Sequence, residues 1–267
     1  MSDETILQSD EQPLEIEPYE MLAPIYDQVM SHVNYAAWAD FVMDILTDYG
    51  LPSQFDDPSP LLLEAACGTG TVAIMTALSG YDIDAFDNSP QMIEIARRKS
   101  RGMAQPPRFR IADFFELDCK EHYDGILCLY DSVNYITQPD RIRGFFRLVR
   151  QALKREGSFL FDVCTEYNSL SHFASNEQVE YFEGFNYRRV MKYFSKDNTQ
   201  ENLFFIKRDE TPEKVFVERH LQKIYDLHVI RSQVEKAGMY ILEETDDIIR
   251  KPPHEKSLRV HFLCKRY

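Results

Sequence analysis

The sequence predicts an α/β protein: a doubly wound, mostly parallel sheet interrupted by an antiparallel β insertion. Three observations carry this. After Pro60, short apolar runs alternate with amphipathic stretches, the pattern of successive βα units. The first apolar run passes into a helix through a glycine-rich turn, Cys67-Gly68-Thr69-Gly70. From Glu166 to Tyr225 the helical period disappears, and aromatic and branched β-formers alternate with polar residues.

Residues 1–17 are acidic and aperiodic and are expected to form a flexible tail. From Tyr19, apolar residues recur at spacings of three and four through Leu22, Ile25, Tyr26 and Val29, then Trp38, Phe41, Val42 and Ile45, which predicts two N-terminal helices. Three prolines in LPSQFDDPSP, 51–60, end the second helix. Strands are predicted at 61–64, 83–86, 109–111, 124–129 and 158–163, with helices at 71–79, 90–99 and 140–153. Gly157 reads as the glycine that ends the last of these helices. Residues 178–225 read as three or four antiparallel strands. A helix at 226–237, stopped by Gly238, and strands at 240–244 and 259–267 complete the chain. The organisation is therefore a tail (1–17), a ligand-binding domain in two pieces (18–165 and 226–267) and an inserted β-rich substrate or lid subdomain (166–225).

Composition narrows the function. Against 44 acidic residues stand 30 basic ones, a net charge of -14, which repels polyphosphate and argues against a nucleic-acid partner. Only RRKSR at 97–101 and RIRGFFRLVR at 141–150 are locally basic. No apolar run approaches the roughly 18 residues that span a bilayer, and the N-terminus is acidic where a signal peptide is basic and then apolar, so a cytoplasmic protein without a membrane partner is expected. Five cysteines without CxxC spacing and seven histidines without HExxH predict reduced thiols and no metal.

The chemistry concentrates at 61–73. A buried strand ends near Glu64 and turns through Gly68 and Gly70 into a helix, so a ligand can lie against bare backbone at a helix N-terminus. Asp87 follows the second strand, 17 residues after Gly70, where two carboxylate oxygens match two vicinal ribose hydroxyls. Asp113, with Phe114 beside it, follows the third strand and suits an adenine ring. Gly68-x-Gly70-x-x-Ala73 also satisfies the dinucleotide fingerprint, so a nicotinamide-dependent oxidoreductase stays open at this point. Glu64 favours the other reading: two phosphates have no use for a nearby carboxylate, whereas an ammonium group does.

The run Glu64-Ala65-Ala66-Cys67-Gly68-Thr69-Gly70, with Asp87-Asn88-Ser89-Pro90-Gln91-Met92 behind it, resembles the cofactor motifs of class I S-adenosylmethionine (SAM)-dependent methyltransferases. The resemblance extends to Tyr19-x-x-x-Ala23-x-x-Tyr26-Asp27, Tyr35-x-x-Trp38, Asp131-Ser132-x-Asn134-Tyr135 and His220-x-Gln222-x-x-Tyr225, which are similar to a small-molecule subgroup with a β insertion over the active site. It implies a Rossmann-like methyltransferase fold with seven strands, the last antiparallel. It also implies SAM as cofactor and S-adenosylhomocysteine as product. On this resemblance Gly68 and Gly70 approach the methionine part, Asp87 holds the ribose, and Asp113 and Phe114 flank adenine. Tyr19, Tyr26 and Trp38 close over the cofactor, and Glu64, Ala65, Cys67, Asn88, Met92 and Tyr130 complete its wall.

Methyl transfer is an in-line displacement, so alignment is the main demand and a base is optional for a neutral amine. Tyr130, Asp131 and Tyr135 lie just after the fourth strand, at the edge facing the transferable methyl; Tyr130 and Asp131 are candidates to orient or deprotonate an acceptor, Asp131 reads equally as a cap near Ser132, and His220 is a candidate base. The expected reaction is methylation of nitrogen or oxygen on a small molecule by a monomer or homodimer. The fourth strand tip, Leu129-Tyr130-Asp131-Ser132-Val133-Asn134-Tyr135, lacks the Asp/Asn-Pro-Pro-aromatic clamp used on a flipped base. A SAM-binding sensor without turnover is the non-enzymatic alternative.

Overall fold

The computed structural model describes residues 13–267, which form two sheets. The chain begins with a short strand, β1 (Leu14–Ile16), a 3-10 turn at Ala23–Ile25 and two helices, α1 (Tyr26–Val29) and α2 (Tyr35–Asp48). Asn34 caps α2 by accepting the Ala37 N–H, and the helix buries Trp38, Phe41, Val42, Ile45 and Leu46, a stripe at i, i+3, i+4, i+7 and i+8. The βα units follow: β2 (Leu61–Ala65), α3 (Thr71–Leu78), β3 (Asp82–Asp87), α4 (Pro90–Lys99), β4 (Arg108–Ile111), β5 (Tyr123–Cys128), α5 (Pro139–Ala152) and β6 (Leu153–Cys164). A short helix, α6 (Glu166–His172), leads into β7 (Ser175–Phe182), β8 (Phe185–Phe194), β9 (Thr199–Arg208) and β10 (Phe216–Lys223). The chain ends with α7 (Leu227–Lys236), β11 (Met239–Asp246) and β12 (Arg259–Arg266).

Seven strands form the central sheet in the order β11-β12-β6-β5-β2-β3-β4, with β12 antiparallel to both neighbours and the rest parallel. Helices cover both faces. Phe145, Phe146 and Val149 of α5 and Ile230 and Val234 of α7 pack on one, and Ile45, Leu46, Val72, Ala73 and Ile93 on the other. Burial on both sides explains the continuous apolar runs of the central strands. Strand order reverses at β2, with β3 and β4 on one side and β5 and β6 on the other. Open α/β sheets bind ligands in the crevice at such a point.

The second sheet has the order β1-β10-β9-β8-β7. Its apolar face, Phe185, Tyr187, Phe204 and Ile206, packs on Leu22 and Ile25 of the N-terminal segment. That segment is held between the inserted sheet and α4, where Ala23 meets Met92 and Ile95.

Four expectations change. The tail expected over 1–17 ends in β1, which pairs in parallel with Phe216–Glu218; residues 1–12 lie outside the described residues. Three residues carry no periodicity, so only their distant partner makes them a strand. The first N-terminal helix shrinks to a 3-10 turn and one α turn, because Tyr19 is left-handed (φ 66°) and the N–H groups of Tyr19, Met21 and Leu22 bond a side chain instead of a helix. A helix, α6, opens the region read as wholly β-rich, with Thr165 capping it through the Asn168 N–H. Gly157 is not at a helix end: α5 stops at Ala152 and Gly157 lies within β6, where a Cβ would stand 3.0 Å from the Tyr123 carbonyl oxygen.

Candidate active site

A cavity of about 420 Å³ opens at the carboxyl ends of β2, β3 and β5. Its floor is backbone and carboxylate. Ala66, Gly68 and Gly70 all have positive φ (56°, 54° and 74°), which folds the chain back over the end of β2 and into α3. Nothing lies within 4 Å of a Cβ built on Gly68, so its open side is the cavity it lines. Gly70 does not line the cavity; its Cβ would fall 2.7 Å from the Phe109 ring and 2.9 Å from Ala96, so glycine there serves the packing of α3 against α4 and β4. Ala65, read as part of the cofactor wall, is fully buried in β2, and Ala66 takes its place at the surface of the site.

Asp87 ends β3 and is buried. Gly68 N–H donates to its Oδ2 and Ser89 N–H to its Oδ1, both at 2.9 Å, while burial raises its carboxyl above the ordinary value. A carboxylate has about four lone-pair sites, and these backbone donors leave acceptor capacity toward the cavity for a ribose hydroxyl. Glu64 is the other buried acid. Burial pushes its carboxyl up to about 8, and its Oε2 has no hydrogen-bond partner among the described residues. An orphaned acceptor in a cavity wall fits a cationic donor, and the ammonium of a methionine moiety is one. Asn88, Met92, Asp113, Phe114 and Cys67 also line the cavity. Asp113 caps the 3-10 turn Phe114–Glu116 by accepting the Phe115 N–H, which fixes Phe114 against Phe86 and Phe145.

The roof is aromatic: Tyr19, Tyr26, Tyr35, Trp38, Tyr130 and Tyr135. Burial raises the Tyr19 and Tyr26 phenols far above their ordinary value and pushes those of Tyr130 and Tyr135 up to about 12, so all four stay neutral. Two latches hold the N-terminal segment over the floor. Glu218 of β10 accepts the N–H groups of Tyr19 (2.7 Å), Met21 (2.5 Å) and Leu22 (2.8 Å). Asp27 of α1 accepts from Thr69 Oγ1 in the glycine turn (2.5 Å) and from Lys99 Nζ (2.7 Å), which also donates to Thr71. Tyr135, expected beside Tyr130 at the edge facing the methyl group, lines the cavity, and Tyr35 joins the site from the quoted motif that holds Trp38.

The three catalytic candidates separate. Tyr130 lines the cavity, with the Arg259 guanidinium 4.5 Å from its ring centroid and Trp38 on it at 5.1 Å. Asp131 does not line it. Its carboxylate is held by both arms of Arg259 (3.0 and 2.6 Å), which leaves it a positioning group. Tyr130 and Asp131 are both left-handed (φ 63° and 60°), and buried Asp162 accepts both of their N–H groups, at 2.6 and 2.8 Å. Such backbone persists only where its surroundings over-determine it. His220, also outside the cavity lining, lies behind Tyr19 and Tyr135 in the inserted sheet, with its ring 4.6 Å from Tyr19. Among the described residues no group of three or more His, Cys, Asp or Glu is placed to hold a metal ion, and no helix is long and apolar enough to cross a membrane.

Comparison with known proteins bears on this geometry. A family model described as a methyltransferase domain matches residues 62–157, the stretch from β2 to the middle of β6. A Geobacillus sp. (strain WCH70) protein assigned as a methyltransferase is 28% identical over 254 residues, 93% of this chain and 99% of its own length. The crystal structure of a SAM-dependent methyltransferase from Clostridium acetobutylicum ATCC 824 superposes with a TM-score of 0.79 at 27% identity, covering 93% of this chain and 98% of that one. A glycine/sarcosine N-methyltransferase of Parasynechococcus marenigrum (strain WH8102) is 28% identical over 128 residues, 47% of this chain and 43% of that protein.

Proposed function

Because the chain is a class I SAM-dependent methyltransferase, we propose that it methylates a nitrogen or oxygen of a small, uncharged or cationic molecule. The family match and the full-length relatives displace both the nicotinamide oxidoreductase and the sensor without turnover. The observation that carries the acceptor reading is the lining of the cavity. Glu17, Glu64, Asp87 and Asp113 supply carboxylates, six aromatic rings close the top, and no Lys, Arg or His is among the described residues that line it. A phosphate-bearing acceptor would find no cationic side chain in that lining. The relative named for N-methylation of glycine and sarcosine supports a small amine. A small acceptor is supported by the roof, where Glu218 holds the backbone of Tyr19 and Asp27 bonds Thr69 of the glycine turn, so that the aromatic rings stand over the floor.

Bound SAM supplies an electrophilic methyl group on a sulfonium. The chain's part is to hold and align. Glu64 would take the ammonium, Asp87 the ribose hydroxyls, and Asp113 with Phe114 the adenine, while Asn88, Met92 and Cys67 fill the wall between. Alignment of this kind contributes on the order of 7–11 kcal/mol. The tyrosine roof excludes water and offers neutral hydroxyls to the acceptor, with Tyr130 locked by Arg259 and Asp162 at the tip of β5. The same reading takes the enzyme as cytoplasmic and a monomer or homodimer; a net charge of -14 supports the absence of a nucleic-acid partner.

Methyl-labelled SAM incubated with the protein and a metabolite extract should label one or a few small compounds, and mass spectrometry identifies the methylated atom. Label confined to the protein or nucleic-acid fraction overturns the acceptor reading.

A further inference from the structure

We propose that Tyr19, Tyr135, His220 and Glu218 form a proton relay that carries the acceptor's surplus proton out of the cavity and into the inserted sheet. The proposal rests on the nitrogen or oxygen acceptor read above. The four side chains are continuous: Tyr19 Oη lies 2.7 Å from Tyr135 Oη, Tyr135 Oη 3.1 Å from His220 Nδ1, and His220 Nε2 3.2 Å from Glu218 Oε2. The chain begins at two phenols in the cavity lining and ends at two residues, His220 and Glu218, that are 3% and 0% exposed.

The direction of the chain follows from its far end. Glu218 already accepts the backbone N–H groups of Tyr19, Met21 and Leu22, so its carboxylate stands among donors and takes the acceptor role toward His220 as well. His220 then donates from Nε2, which leaves Nδ1 as the acceptor that faces Tyr135. Tyr135 donates to Nδ1 and Tyr19 donates to Tyr135, which leaves Tyr19, a cavity-lining residue, free to accept at Oη. Every hydrogen bond in the chain points away from the site.

The transfer balances. A carbon–nitrogen or carbon–oxygen bond forms, the sulfur–carbon bond breaks with its electron pair left on sulfur, and the methylated acceptor carries one proton too many. That proton passes to Tyr19 Oη, the Tyr19 proton to Tyr135 Oη, and the Tyr135 proton to His220 Nδ1. The resulting imidazolium is stabilised by Glu218. Burial raises both phenols, so neither tyrosine accumulates as phenolate; each gives up a proton as it receives one. Glu218 also straps Tyr19 into place, so the relay is complete only when the segment is seated over the cavity.

The charged and titratable groups around the ring are Tyr19 and Tyr135 from the core side, Glu218 on the same strand, and Arg189 of β8, whose guanidinium lies over Phe204 beside it. Two measurements test the relay. Nitrogen NMR of the imidazole in the S-adenosylhomocysteine complex should find the proton on Nε2 and Nδ1 free to accept; a proton on Nδ1 with Nε2 free overturns the relay. Transfer of labelled methyl into the metabolite extract, at saturating SAM, should fall about 10²-fold or more in His220→Asn while S-adenosylhomocysteine affinity by calorimetry is unchanged. Tyr135→Phe, which keeps the ring, should reproduce the rate loss. A folded His220→Asn protein that labels the extract at the wild-type rate overturns the relay. A wild type that labels no small molecule removes the acceptor reading instead, and the imidazole tautomer then decides the relay by itself.

Discussion

The floor and the roof of the cavity are built over different distances along the chain. On the floor, Gly68 N–H reaches Asp87 across 19 positions, and Glu64, the glycine turn and Asp87 all belong to one βα step and the strand beside it. In the roof, Tyr19 reaches Glu218 across 199 positions, Tyr135 across 116, and Tyr135 reaches His220 across 85. The floor is a local motif set on the edge of a buried parallel sheet. Tyr19 takes its place in the roof because the second sheet, through Glu218, holds the N-terminal segment. The floor therefore suits a demand shared by every enzyme that holds the same cofactor, and the roof suits whatever acceptor this chain serves.

The largest expected effect falls on the roof. Glu218→Ala strips three backbone N–H groups and His220 of their common acceptor, and should cost about 3 kcal/mol of stability at the 1–3 kcal/mol typical of a buried group losing its partner. Urea unfolding measures the loss, and limited proteolysis should open residues 17–22 while the stretch 61–70 stays protected. Equal protection of both would mean that the roof is held by packing alone. On the floor, Asp87→Ala should leave the fold intact and weaken SAM binding by about 1.5–3 kcal/mol, read by calorimetry. Unchanged affinity refutes its assignment to the ribose.

The two glycines divide the floor further. Gly70→Ala should destabilise the protein by about 1–3 kcal/mol through contact with Phe109 and Ala96. Gly68→Ala should cost only the roughly 1–2 kcal/mol of a left-handed backbone but should also weaken SAM binding, since its methyl enters the cavity. If both variants lose affinity alike, Gly70 has been wrongly separated from the site.

Glu64 changes a pH profile. Its carboxyl is raised from 4.5 to about 8 in the folded protein, so below pH 4.5 wild type and Glu64→Gln should be equally sensitive to pH. Between 4.5 and about 8 the unfolded chain ionises first and wild-type stability falls relative to the variant, and above that window the difference is constant. SAM affinity of the wild type should rise with pH over the upper part of that window, with proton release on binding, because the ammonium selects the carboxylate form. Parallel melting and binding profiles in the two proteins would remove Glu64 from the ammonium site.

Much of the floor was legible in the residues. The strand ends, the spacing from Gly70 to Asp87 and the acid at position 64 each carry their reason within one βα step. Local pattern erred where a residue's neighbours come from elsewhere. Gly70 looks like a ligand glycine until Phe109 and Ala96 are beside it. Gly157 reads as a helix end because what excludes a side chain there, the carbonyls of Tyr123 and Asp124 that a Cβ would meet, belongs to another strand. Asp131 stands where a reactive group after a strand is expected, and its bond to Arg259 spans 128 positions. Tyr135 and Glu218 sit in ordinary-looking surroundings, and nothing in their immediate sequence connects them.

By itself the sequence determined the α/β class, the order of the βα units, the glycine turn with its two acids, and the presence of a β-rich insertion, because hydrophobic period and short motifs act through neighbours in the chain. The tertiary structure decided that Leu14–Ile16 is a strand, that Tyr19 is turned into the cavity, that Asp131 buttresses instead of reacting, and that His220 faces two phenols and a buried carboxylate. Those outcomes depend on contacts between segments up to about two hundred positions apart, and only the packing of one sheet over the other brings such segments together.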